Sequence, residues 1–136
     1  MGCGIHVSIE EKKDGSTKYV EIIDDALDLP SSLAREMNAV LQEHGHSGLP
    51  KVYEDEYKFG EHSFGHISLG EFLAIPSKPP KRPRVTFEDD EHGGYLIYIR
   101  GQEDEYTIED TIIHLQDAFR MMFAFKDVRI VYGFDS

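Results

Sequence analysis

The opening stretch MGCGIHVSIE gathers a thiol (Cys3), an imidazole (His6), a hydroxyl (Ser8) and a carboxylate (Glu10) into a few positions. Cys3 is the only cysteine of the chain. It can be a small buried hydrophobe, a nucleophile or a metal ligand. A nucleophile needs a neighbour that lowers its pKa, and residues three apart on an extended strand face opposite ways, so His6 is poorly placed for that task. Packing is the expected role of Cys3, and His6 is the residue to watch. The chain has 7 histidines in all. HGH (His44, His46) and HSFGH (His62, His66) have short, ligand-like spacings. His6 and His62 with Asp135, or with Glu10 in its place, would make a three-ligand site for zinc or another divalent metal, with a bound water as nucleophile. Neither HExxH nor paired CxxC accompanies them, so a metal-dependent hydrolase is the alternative reading and no cofactor is the expectation.

The elements that must position these groups follow from hydrophobic periodicity. Ile5, Val7 and Ile9 alternate with His6, Ser8 and Glu10, which predicts a strand with one buried face. The polar face is either open to water or becomes a pocket if a long loop folds over it. DGS (14–16) is a turn and TKYVEIID follows, giving a hairpin. In PSSLAREMNAVLQEHG, Leu33, Met37, Val40 and Leu41 make one helical stripe, with Ser31 or Ser32 as cap and Gly45 left-handed past the end. Residues 44–66 read as mostly loop, long enough to be functional. Their glycines form no phosphate loop, because no GK[ST] follows. SLGE is a capping box that starts a short helix at Ser68. Residues 76–84, which include KPPKRP, form a Pro-rich basic surface loop. RVTFED and YLIYIRG flank an acidic tip in a second hairpin. Thr107 caps the strongest helix, whose stripe is Ile108, Ile112, Leu115, Phe119, Met122 and Phe123. VRIVYGF is the closing strand. The order predicts a single α+β domain over 1–136: a mainly antiparallel sheet of about five strands with two main helices on one face. First and last strands as neighbours would bring His6 and Arg129 together.

Composition narrows the function classes. The chain has 136 residues and 40% hydrophobic content, the profile of one ordered domain. One cysteine closes no intramolecular disulfide, so a reducing, cytoplasmic setting is expected. No apolar run approaches the ~18 residues of a membrane span, and Glu10 and Glu11 stand where an export signal is apolar. The start is a poor myristoylation signal, since His6 occupies the Ser/Thr position. A net charge of −12 opposes direct nucleic-acid binding, which needs cations to replace counterions on phosphates. It suits a soluble surface or a basic partner.

Four motifs in order carry a resemblance. MGCGIHVSIE is similar to a Met-Gly-Cys-Asp-Ile-His start followed by a glutamate. SGLP (47–50) resembles Arg-Gly-Leu-Pro, and EHSFGHISLGEF resembles a His-Ser motif before a Leu-Thr-Leu-x-Glu-Leu helix start. VRIVYGFDS is similar to a closing Val-Arg-Ile-Val-Phe-Trp-Phe-Asp-Asn. Together they resemble a family of small uncharacterised bacteriophage and prophage proteins. Gly4, Ser47 and Gly133 depart from it, replacing an acidic residue, an arginine and a tryptophan. The start CGI is also similar to that of N-terminal-nucleophile amidotransferases, but Gly2 sets it one residue out of place. The phage resemblance implies a convergent polar cluster of Cys3, His6, Glu10, His62, Ser63, Arg129 and Asp135, and a host-cell cytoplasmic setting. The resulting expectation is a small acidic phage-type accessory protein, non-enzymatic and of a counter-defence kind. It would bind a small anionic ligand such as a signal nucleotide, or a basic host protein, with a homo-oligomer also possible.

Overall fold

A computed structural model describes residues 4–13, 15, 17–24, 26–50, 59–77, 97–98, 107–123 and 127–135. The alternation of the opening residues produces β1 (Gly4–Lys12), and the hairpin returns as β2 (Tyr19–Ile23). The closing residues form β7 (Asp127–Asp135), antiparallel to β1 along its full length from Gly4↔Asp135 to Lys12↔Asp127. β5 (His62–Ser68) pairs antiparallel with the other side of β7, and β4 (His46–Ser47) with β5. The sheet order is β2-β1-β7-β5-β4, so the two chain ends supply its centre. A second, parallel pair joins β3 (Leu27–Asp28) to β6 (Ile97–Tyr98).

Helices cover one face. α1 (Ser31–His44) contributes Leu33, Ala34, Met37 and Leu41, and α3 (Ile108–Phe123) contributes Ile112, Leu115, Phe119 and Phe123. These pack in one core with Ile5, Val7, Ile9, Ile130, Tyr132 and Phe134 of the sheet. The α+β sheet with two main helices on it is therefore present as expected. α2 (Leu69–Leu73) begins at the capping box: Glu71 N donates to Ser68 Oγ and Ser68 N to Glu71 Oε1. Thr107 caps α3 in the same reciprocal way with Asp110.

Several local expectations are corrected. Pro30, and neither Ser31 nor Ser32, holds the N-cap position of α1; a proline has no side-chain acceptor, so the cap carries no side-chain hydrogen bond, and the two serines are the first residues of the helix. Gly45 is extended at φ −99, not left-handed. It is small because the Tyr132 hydroxyl sits against it and against Gly65, where a Cβ would meet Tyr132 Cζ at 2.5 Å. Within the stretch 44–66, read as mostly loop, His46–Ser47 form β4 and residues 62–66 belong to β5, while residues 51–58 lie outside the described residues. A bulge between His62 and Gly65, with Ser63 at φ 60, hides the strand's period. Met122 is exposed, so the α3 stripe ends on Phe119 and Phe123. The basic loop from Lys78 on and most of the second hairpin lie outside the described residues; of that hairpin, Ile97 and Tyr98 pair with β3.

Tyr132 links the sheet to α1. Its hydroxyl donates to Leu41 O at 2.9 Å, near the helix C-terminus. Burial, and secondarily the Glu71 charge, push the phenol up to about 12. A raised phenol pKa contributes stability below the ordinary tyrosine value of 10.0, and that contribution is lost as pH rises toward 12. Tyr132→Phe is expected to cost about 1 kcal/mol at neutral pH, because Leu41 O retains the Gly45 N–H as a donor. The same variant should flatten the fall of stability between pH 10 and 12, as read by urea titrations across that range.

Candidate functional site: the second face of the sheet

Register decides which side chains share the face away from the helices. Residues directly opposite in an antiparallel pair lie on the same face. His6, Ser8 and Glu10 of β1 therefore share it with Gly133, Val131 and Arg129 of β7. His66 stands opposite Val131, and Ser68 opposite Arg129. This face is not simply open to water. Ser8 and Glu10 are 1% exposed, Val131 is fully buried, and Phe59, also fully buried, lies with its backbone against Gly133. Phe59, at the C-terminal end of the stretch read as loop, thus lies over the part of this face where Gly133 stands opposite His6.

At one end His6 Nε2 meets Asp135 Oδ2 at 2.6 Å, with both side chains about one-third exposed. At the other, Arg129 Nε donates to Glu10 Oε1 at 2.6 Å. The Tyr19 ring lies over that guanidinium, 3.9 Å from its carbon to the ring centroid. The Tyr19 hydroxyl donates to Asp127 Oδ1 at 3.0 Å, and Lys12 Nζ approaches Asp127 at 3.5 Å. Burial first, then the Asp127 hydrogen bond, hold the Tyr19 phenol above its ordinary pKa. Between the two clusters Ser8 Oγ donates to Asp24 Oδ1 at 3.2 Å.

The expected convergence is therefore partial. First and last strands are neighbours, but Arg129 stands opposite Glu10 and not opposite His6. Four strand positions separate the two, about 13 Å along β1. His62 does not complete a ligand set with His6 and Asp135: its Nδ1 contacts Ser63 Oγ at 2.8 Å and its ring meets the edge of Phe134. Among the described residues no group of three His, Cys, Asp or Glu is placed to hold a metal ion. Ser63 orders the bulge, with its carbonyl accepting from Gln42 Nε2 at 2.7 Å. Cys3 lies outside the described residues. What the arrangement can do is limited by its pairings. His6 is an imidazole oriented by a carboxylate, with Asp135 the one hydrogen-bond partner of its ring among the described residues.

A third cluster was not anticipated as a unit. His46 and His66 face each other across the β4–β5 pair, their rings stacked at 5.3 Å. His46 Nε2 meets Glu71 Oε2 at 2.6 Å, and His66 Nδ1 donates to Gly48 O at 3.1 Å. The Glu71 carboxyl is held below its ordinary range, first by the Ser68 backbone N–H and then by His46 and the Ser68 hydroxyl. The short His spacings were visible in the sequence, but the strand that aligns them was not. The chain matches no family model, no curated protein and no solved structure.

Proposed function

We propose that the chain is a non-enzymatic accessory protein of the phage type, counter-defence in kind, which acts by binding a basic host protein. The observation that carries this choice over a small anionic ligand is the state of Arg129. That cation was the natural grip for an anion on the closing strand, and it is engaged by the buried carboxylate of Glu10 and covered by Tyr19. An anionic ligand would have to displace a 2.6 Å ion pair and strand Glu10 in a buried position. The outer surface favours the opposite sign. Glu21, Glu36, Glu43, Glu61, Glu109 and Asp127 are exposed on a chain of net charge −12. A field of that sign steers and holds a cationic surface.

The test is affinity capture from host lysate with the full chain as bait, followed by native mass spectrometry of the purified protein. The expected result is a basic protein retained at 0.15 M salt and released by about 0.5 M, where the Debye length falls below about 5 Å. Capture that resists that salt would contradict an electrostatic partner. A nucleotide-sized adduct on the native protein would reinstate the anionic ligand.

A further inference from the structure

Ser63 is the one residue other than glycine with a positive φ among the described residues, at 60°. Such a conformation is uncommon for a residue with a side chain, and residues held in it cluster at functional sites. Ser63 lies in the bulge between His62 and Gly65 of β5, and a bulge re-aims a side chain out of the strand's alternation. Both bulge carbonyls are fixed from outside the strand. Ser63 O accepts from Gln42 Nε2 of α1 at 2.7 Å, and Phe64 O accepts from Gly48 N at 2.9 Å. The anchored bulge gives the Ser63 hydroxyl a defined place, with its Oγ 2.8 Å from Nδ1 of His62.

The imidazole is placed as well. His62 stands opposite Phe134, a core residue, so it belongs to the helix side of the sheet and not to the side of His6. Its ring meets the edge of Phe134, with centroids 5.7 Å apart. With the ring proton on Nε2, Nδ1 accepts from the serine hydroxyl. A hydroxyl in hydrogen-bond reach of a base is what makes serine a nucleophile, because the base takes the proton as the oxygen attacks. His62 is exposed and Ser63 half-buried, so a reagent can reach the pair. We propose that Ser63 is a covalent modification site, an acyl acceptor for neutral activated esters, with His62 as its general base. Ser63 Oγ bonds the acyl carbon as the bond from that carbon to the leaving oxygen breaks. The hydroxyl proton passes to His62 Nδ1 and from there to the leaving oxygen, so nothing is oxidised or reduced. Charge selects the donor: exposed Glu61 adjoins His62 in the chain and exposed Glu43 adjoins Gln42, which opposes an anionic phosphoryl donor and tolerates a neutral ester. The inferred step is one transfer to Ser63, not turnover, so the site is compatible with a binding protein.

Incubation of the full chain with 4-nitrophenyl acetate at neutral pH, followed by peptide mapping in a mass spectrometer, tests this directly. Ser63 is expected to gain one acetyl group at least about tenfold faster than Ser47, an exposed serine on β4. His62→Gln removes the base and should slow acetylation of Ser63 about hundredfold. His62→Phe keeps an aromatic ring against Phe134 without a base and should slow it as much, which separates the proton transfer from the packing of the ring. Ser63→Gly removes the hydroxyl and suits the positive φ, so it should leave position 63 unmodified with a urea midpoint no lower than that of the parent chain. Acetylation of Ser63 no faster than that of Ser47 overturns the proposal, as does either His62 variant reacting at the parent rate. None of these outcomes bears on salt-sensitive capture of a basic protein, which rests on the acidic surface and not on Ser63.

Discussion

Arg129→Met is expected to destabilise the fold by about 3 kcal/mol. The substitution keeps most of the aliphatic stem and removes the guanidinium, leaving Glu10 as a carboxylate that is 1% exposed on the inner part of the sheet. Breaking one side of a buried ion pair costs about 3–5 kcal/mol, because the remaining charge loses the guanidinium without regaining its hydration. Arg129 retains about 20% of its exposure, so the low end of that range applies. The Tyr19 ring loses the nearer of its two cations and keeps Lys12 Nζ at 5.9 Å, so this contact adds little to that cost. The double variant Glu10→Gln, Arg129→Met distinguishes this cause from simple loss of packing. It removes the stranded charge and should recover more than half of the loss in urea titrations. If the single and double variants are equally unstable, the charge is not what the arginine offsets.

The legibility of this chain followed the chemistry of each segment. β1 and β7 were readable because Ile5-Val7-Ile9 and Val128-Ile130-Tyr132 alternate without interruption, and alternation is the signature of a strand with one apolar face. α1 and α3 were readable from stripes at helical spacing, and α2 from a capping box whose two hydrogen bonds both form. β5 was not readable. Its residues HSFGHIS carry glycine, serine and two histidines, and the bulge at Ser63 breaks the period just where it should have appeared. Tertiary pairing with β7 supplies what local propensity lacks.

The same contrast explains the site. That His6 and Asp135 would share an end of the sheet could be guessed once the terminal strands were taken as neighbours. The pairing of Arg129 with Glu10 and not with His6 depends on register, and a shift of two residues would keep the apolar side chains on the same face while exchanging every polar partner. The His46–His66 stack was hidden for a different reason. It needs two strands, one only two residues long, to be recognised before the rings can be placed opposite each other. The polar face was also expected to be either wet or a pocket. Part of it is covered instead: Phe59 lies against Gly133, opposite His6, and nothing in the local sequence around Phe59 marks it as a cover for a strand more than seventy positions away.

That cover makes Gly133→Ala the most damaging single methyl that can be added to the sheet. A Cβ at 133 points to the second face and would run into the Phe59 carbonyl oxygen, with the Phe59 carbonyl carbon at 2.7 Å and its Cβ at 2.8 Å. These are largely backbone atoms, so no rotamer change relieves the collision. Either β7 shifts at the centre of the sheet, or Phe59 leaves a fully buried position. Forcing a methyl into packed structure costs about 1–3 kcal/mol, and releasing a buried phenylalanine about 1.5–3 kcal/mol. Only one of these routes is taken, so the loss is expected at about 2–3 kcal/mol, seen as a lower urea midpoint with an unchanged slope. Gly4 is the matched control, because it lies on the same face and an added Cβ there meets nothing within 4 Å, so Gly4→Ala should be nearly neutral. Adding Phe59→Ala to Gly133→Ala should give no rescue, since truncating the ring leaves the offending carbonyl in place. Recovery in that double variant would show that the ring, and not the backbone, is what Gly133 makes room for.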